Sequence, residues 1–211
     1  NLLKEELPTF LRNIGENIDE DIDLVLRKVL ETSKSFISAT GKETAWITLR
    51  TSRQHSRFDI PRWHLDGRYF GKIKVPTLKL VSTLKGPSTL LSNSDQKDIR
   101  KIICDLNYDD EIRKMTQELK EIGKSDVKKL KMLRKSLEEY RLKNRKKIMK
   151  ILNKESIVKM KSGDAAIYTT NNSEFGCIHS EPKITEDRIF FSVLPCTFEE
   201  MKELKMRHTK V

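Results

Sequence analysis

The sequence predicts a mainly β protein with added helices, and three observations predict it. Apolar and polar residues alternate with a period of two through 45–94 and again through 156–196. Between those stretches, at 95–155, apolar residues recur at three- and four-residue steps, which is the helical period. The strands are short and closely spaced, the pattern of a sandwich or barrel, so the two groups must pair across the insertion to close it. The 211 residues suffice for one domain with a sizeable core and an elaboration. The expected parts are an N-terminal helical region at 1–44, a β core from 45–94 and 156–196, a basic helical insertion at 95–155, and a C-terminal helix and tail at 197–211.

The elements follow in order. Ile18, Ile22, Val25, Leu26, Val29 and Phe36 give 17–37 an amphipathic helical period, with Asp19, Glu20, Asp21 and Asp23 in the first turns where the helix dipole favours acids. Thr40-Gly41-Lys42 stops it. Residues 45–51 alternate as a half-buried strand, and Pro61 to Gly67 runs extended after the proline and turns at the glycine. Residues 77–84 are a strand closed by Lys85-Gly86-Pro87, and 88–91 are a candidate short strand. Ile99, Ile102, Ile103 and Leu106 begin the helical texture. Residues 109–122 and 125–153 then read as an antiparallel helical hairpin with a coiled-coil-like seam through Leu130, Leu133, Leu137 and Tyr140. Strands are expected at 157–160, 165–170, 174–179 and 188–194, and a short helix at 197–207. The insertion is expected to leave one end of the β core as an excursion, so that deletion of 97–153 would spare the core.

Composition narrows the function. No run of 18 apolar residues exists, so no transmembrane segment is expected, and no signal-peptide pattern opens the chain. The reading is an intracellular protein, cytoplasmic or nuclear. Cys104, Cys177 and Cys196 are an odd number without CxxC spacing, which argues against a disulfide framework or a zinc knuckle and leaves them as small buried hydrophobes. No Gly-rich loop leads into Lys-Ser or Lys-Thr, so Gly86-Pro87 is a turn and not a phosphate cradle. The net charge is +11, and residues 124–154 alone carry 13 Lys or Arg against three acids. That segment is either a solvated helix face or an electrostatic footprint for nucleic acid or an acidic protein, centred on Lys143, Arg145, Lys146 and Lys147. Tyr140 is its only ring, so contact would be to phosphate by charge and not by base stacking.

The chemistry begins at His64-Leu65-Asp66. Two residues apart on an extended segment, an imidazole and a carboxylate point to one side and reach one cation. His179 ends a predicted strand far along the chain, and Arg188 starts the next, nine residues later. Two imidazoles and a carboxylate on one face of an octahedral ion leave three positions open. The keto acid end of 2-oxoglutarate fills two of them and O2 the third. The distal carboxylate then needs a planar, two-pronged cation, which Arg supplies better than Lys. Ser192, four residues after Arg188, falls on the same strand face and offers a hydroxyl. Cys177 shares a face with His179, and Trp63 and Tyr69 flank the His-x-Asp pair as packing residues. His55 and His208 read as solvated.

This ordered set, His64-x-Asp66, distal His179 and Arg188, resembles the Fe(II)/2-oxoglutarate-dependent dioxygenases. The Gly163-Asp164 turn before a strand is similar to one that recurs in that family. Without 95–155, 54 of the 115 positions separating His64 from His179 remain, a spacing the family's barrel accommodates. The segments Pro61–Asp66, Leu84–Thr89 and Ile178–Pro182 are also similar to a bacterial domain family of unknown function. The first resemblance implies a double-stranded β-helix, a jelly-roll or cupin-like barrel. It implies Fe(II) on His64, Asp66 and His179, 2-oxoglutarate on Arg188 and Ser192, and hydroxylation or demethylation of a substrate. One departure stands out: many members carry Ser two residues after the Arg, where this chain has Phe190. The resemblance covers 45–94 and 156–195 and does not reach the insertion. The competing readings are a non-catalytic barrel that binds a partner through its basic hairpin, and a hydrolase with another divalent metal, which would have no use for Arg188.

Overall fold

The computed structural model describes residues 2–13, 19–57, 59–67, 69–70, 76–94, 96–122, 126–152, 157–170 and 175–208. Two helices open the chain, α1 (Leu2–Asn13) and α2 (Asp19–Ala39). The β regions supply β1 (Thr44–Ser52), β2 (Thr77–Lys85) and β3 (Leu90–Ser92), then β4 (Ile157–Lys159), β5 (Ala165–Thr170), β6 (His179–Ser180) and β7 (Arg188–Cys196). Between β3 and β4 stand α3 (Lys97–Asn107), α4 (Asp110–Ile122) and α5 (Val127–Ile151), and α6 (Phe198–His208) follows β7. The periods in the sequence located most of these elements. The helix α1 was not among them, since Pro8 sits inside it. Helices also hold more of the described residues than strands do, so the sheets organise the protein without being its larger part.

The strands form two antiparallel sheets. The larger runs β1-β7-β2-β5 and the smaller β4-β3-β6. Side chains of a strand alternate between faces. On the outer face of the large sheet, Leu80, Phe191 and Val193 pack with Ile47 and Leu49 of β1 against Leu7 and Leu11 of α1 and Ile22, Val29 and Phe36 of α2. The amphipathic faces of both helices are thereby used up. The inner face carries Lys79, Val81, Thr83, Tyr168, Arg188 and Ser192 by the same alternation, and it looks toward the small sheet. The chain changes sheets at nearly every strand: β1 and β2 are in the large sheet, β3 and β4 in the small, β5 large, β6 small, β7 large. A closed barrel is not seen among the described residues.

One turn bears on the site, and one cap fixes α6. Gly86 has φ +81, and a Cβ there would lie 2.5 Å from the carbonyl oxygen of Asp187. Only glycine lets the β2–β3 turn pass so close to the start of β7. Thr197 and Glu200 cap α6 reciprocally: Thr197 N–H donates to Glu200 Oε2 at 2.6 Å, and Glu200 N–H donates to Thr197 Oγ1 at 3.2 Å.

The helical insertion is not the detachable excursion the periods suggest. Ile103 of α3 and Ile148 of α5 are fully buried with Trp63, Leu65 and Ile178 in one cluster. Asn107 Nδ2 donates to the carbonyl of Trp63 (2.9 Å), Trp63 Nε1 to Met149 Sδ (2.9 Å), and Arg145 Nη1 to the carbonyl of Arg57 (3.0 Å). Deleting 97–153 would therefore open the core under the His-x-Asp segment. Only α4 and the first half of α5 stand apart, joined by Ile112, Met115 and Leu137. No helix among the described residues is long and apolar enough to cross a membrane.

Candidate metal centre

The three predicted ligands come together. Pro61 keeps the residues before it extended, and His64 then pairs directly with His179. His64 N–H donates to the His179 carbonyl (2.9 Å) and His179 N–H to the His64 carbonyl (3.0 Å). Directly opposed residues of an antiparallel pair put their side chains on one side, and the imidazole centroids are 4.3 Å apart. Asp66, two residues on, points the same way. Its Oδ1 lies 4.0 Å from His64 Nε2 and 3.6 Å from His179 Nε2. Among the described residues this is the group of three whose ligand atoms fall within 4.8 Å of one another.

Each ring has its other nitrogen engaged. His64 Nδ1 meets the carbonyl of Arg62 at 2.8 Å, and His179 Nδ1 meets that of Cys177 at 3.0 Å. A carbonyl only accepts, so both rings carry a proton on Nδ1, which leaves Nε2, on the Asp66 side, as the nitrogen available to a metal. Burial first, and then the neighbouring His179 and Arg62, bring His64 down to about 4, so it is neutral near pH 7. A neutral imidazole is the form that ligates a metal. Burial alone would raise Asp66. The hydrogen bond and charge of His179 together with Lys79 overcome this and hold its carboxyl well below the usual range.

Lys79 is a residue the sequence reading passed over. Its Nζ sits 2.8 Å from Asp66 Oδ2 and 2.8 Å from the Tyr69 hydroxyl. One carboxylate oxygen is thus tied to an ammonium and the other left facing two imidazole nitrogens. The signal was present: Lys79 stands on a strand at an inward position flanked by Thr77 and Val81, where an ammonium needs a partner. Burial and then Asp66 push the Tyr69 and Tyr168 phenols up, so both stay neutral. The Tyr168 ring lies 4.9 Å from that of His179.

An ion fits this donor set. Three atoms so spaced can all approach a central cation at roughly 2.0–2.2 Å with small side-chain adjustments. Two imidazoles with one carboxylate and an open side suit a divalent first-row metal of the non-haem iron kind. Cys177 is not part of the group. Its thiol lies 3.6 Å from its neighbour's carbonyl, and burial pushes it up to about 11. Trp63 is fully buried packing.

Arg188 is 2% exposed on the inner face of β7. Its Nε donates to the Pro87 carbonyl (2.8 Å), and its Nη2 to the hydroxyls of Thr89 (3.0 Å) and Thr83 (3.4 Å). The Phe190 ring lies 4.9 Å from the guanidinium carbon. No carboxylate among the described residues is within ion-pair distance of it, and burial, then Arg50, brings it down to about 10. Ser88, between Pro87 and Thr89, has a buried hydroxyl with no hydrogen-bond partner. Ser192 is buried on the same strand face, level with Val81, but the hydroxyls that touch Arg188 belong to Thr83 and Thr89.

The structure splits the four basic candidates of the insertion. Lys143, Lys146 and Lys147 are exposed along one groove with Lys150, while Arg145 is 8% exposed and turned inward. His55 is not simply solvated, since it bridges Ile184 and its Nδ1 accepts from Arg57 N–H at 3.2 Å. The side chain of His208 lies outside the described residues. Compared with family models, curated proteins and solved structures, the chain matches none of them.

Proposed function

We propose that this chain is an Fe(II)- and 2-oxoglutarate-dependent oxygenase, folded as a double-stranded β-helix, that hydroxylates or demethylates its substrate. The observation that carries the reading is a buried arginine without a carboxylate among the described residues, on the sheet face toward which a two-histidine, one-carboxylate cluster also points. The winding of the chain between two sheets supports the fold assignment. Iron bound here with 2-oxoglutarate and O2 supplies oxidative decarboxylation to succinate and CO2, coupled to oxidation of a substrate C–H bond.

The protein's own part follows from its contacts. His64 and His179 bind through Nε2, their tautomers set by the carbonyls of Arg62 and Cys177. Asp66 supplies the negative charge, and Lys79 stops its carboxylate from rotating. Thr83, Thr89 and Pro87 aim the Arg188 guanidinium, whose Nη1 makes no hydrogen bond to the described residues and is the edge left for the distal carboxylate of the cosubstrate. A hydrolase using the same triad would gain nothing from a guanidinium held this way.

The test separates metal from cosubstrate. His64→Ala, Asp66→Ala and His179→Ala are each expected to lose most Fe(II), measured as iron content by mass spectrometry. Arg188→Ala keeps the iron but weakens 2-oxoglutarate binding at least about tenfold by calorimetry, because a charge-assisted pair is lost. Arg188→Lys recovers only part of that loss. If the parent binds no 2-oxoglutarate with Fe(II) present, the reading fails and the binding-module reading replaces it.

A further inference from the structure

A second concentration of chemistry abuts the metal centre, on the side of the insertion. A cavity of about 200 Å³ is walled by His64 and by four arginines, Arg57, Arg62, Arg141 and Arg145, with Asn107 and Asn144 beside them. No Asp or Glu is among its described lining residues. Two of the guanidiniums are ion-paired: Arg62 Nη2 lies 2.7 Å from Glu181, and Arg141 Nη1 lies 3.4 Å from Glu138. Arg145 is buried at the cavity's base and its Nη1 is spent on the Arg57 carbonyl. Burial lowers the Arg145 pKa, and the charges of Arg62 and Arg57 add to that while Glu138 and Glu181 oppose it. Four guanidiniums converging on one partly enclosed space, with two of them held in place by ion pairs, form a lining suited to an anion.

We propose that this cavity seats the phosphate group of a phosphomonoester substrate, placed one imidazole away from the metal. The proposal rests on the oxygenase reading only for the word substrate; the anion site itself does not. A terminal phosphate carries close to two charges near pH 7 and three acceptor oxygens, enough for several guanidinium forks at once. A carboxylate offers one charge and two oxygens, and would engage fewer of the lining guanidiniums. Arginine also suits the role better than lysine, because its planar fork matches phosphate oxygens two at a time. The cavity joins four separate pieces of chain: the loop at Arg57, the His-x-Asp segment, the end of α3 with the start of α4, and the second half of α5. The insertion thus becomes part of the site, which explains why its inner end is built into the core. An anion seated here is held against His64, whose Nε2 faces the metal position.

The experiment uses the full chain without metal, so that it does not depend on iron or 2-oxoglutarate. Methyl phosphate is titrated by calorimetry in a chloride buffer, with dimethyl phosphate as the singly charged counterpart. The parent is expected to bind methyl phosphate saturably and dimethyl phosphate at least about tenfold more weakly. The Arg57→Ala/Arg141→Ala variant changes only rim residues, so its fold is expected to survive, and it weakens methyl phosphate binding by about tenfold or more. Lys128→Glu/Lys131→Glu, on the exposed outer half of α5, leaves binding unchanged. The proposal is overturned by an absence of saturable binding, by equal binding of the diester, or by arginine variants that bind like the parent. A parallel titration with Fe(II) and 2-oxoglutarate keeps the two readings apart. Loss of that signal with phosphate binding intact sinks the oxygenase and not the pocket, and the reverse result sinks the pocket alone.

Discussion

The two halves of α5 carry similar numbers of basic residues, five and six, and meet opposite surroundings. Residues 127–139 present Lys128, Lys129, Lys131, Arg134 and Lys135 to solvent, and only Leu137 there is buried, against Ile112 and Met115 of α4. Residues 140–151 are as basic, yet Asn144, Arg145 and Ile148 are buried. Asn144 Nδ2 ties the second half to the Leu106 carbonyl (2.8 Å) and to Asp109 (2.9 Å). Charge density along a helix therefore does not say which part is surface. What decides is whether other chain segments bring backbone acceptors and apolar side chains to it.

The largest expected effect contrasts one buried and one exposed side chain of this helix. Ile148 is 0% exposed beneath Trp63, and Met132 is 63% exposed. Ile148→Ala should cost about 2–5 kcal/mol, since it leaves a cavity that the surrounding strands cannot fill. Met132→Ala should stay within about 0.5 kcal/mol. Chemical denaturation of both variants checks this, and equal losses would erase the distinction between the halves.

The buried half also bears on pH. His64 forms part of the cavity that α5 closes, and its pKa falls from 6.5 to about 4 in the fold. Between those values the unfolded chain binds a proton that the folded chain refuses. Stability is therefore complete above pH 6.5 and declines as pH falls through the window toward 4. For the metal-free protein the expected loss from His64 is about 2 kcal/mol between pH 7 and pH 5. Thermal melts of the parent and His64→Gln test it: the gap between them should shrink as pH falls. A gap independent of pH would mean that His64 is not held neutral.

The smallest effect on the fold is expected at the outer lysines. Lys143→Glu, Lys146→Glu and Lys147→Glu together should leave the melting temperature nearly unchanged, because all three are exposed. If the chain binds nucleic acid through 124–154, that variant abolishes the binding, and the parent's affinity falls steeply with salt. Fluorescence anisotropy with a labelled oligonucleotide at two salt concentrations reads both. Arg145 does not belong to this set, since its guanidinium faces the cavity and not the surface groove.

The periodicities located β1, β2, β5, β7 and α2 to α6 within a few residues, since alternation and helical spacing are set by dihedral geometry over a few neighbours. They misjudged 174–179: of its described residues, 175–179, only His179 belongs to a strand, β6 (His179–Ser180). There Cys177 N–H instead donates to the Thr169 carbonyl (3.0 Å), and the chain bends toward the cluster. The convergence of His64, Asp66 and His179 was legible because a group able to hold a metal demands particular side chains at particular spacings. Thr83, Thr89 and the arginine cavity were not legible, because nothing local marks a threonine or a loop arginine as facing inward.

From its own residues the chain determines which segments alternate and which coil, where charge concentrates, and that an imidazole and a carboxylate two positions apart share a side. Those properties depend on bonded geometry and on nearest neighbours. Only the tertiary structure decides that His179 crosses 115 positions to pair with His64, and that Arg145 is buried while Lys146 beside it is not. Those outcomes depend on long-range strand pairing and on which surfaces exclude water together, and neither is written in any one window of sequence.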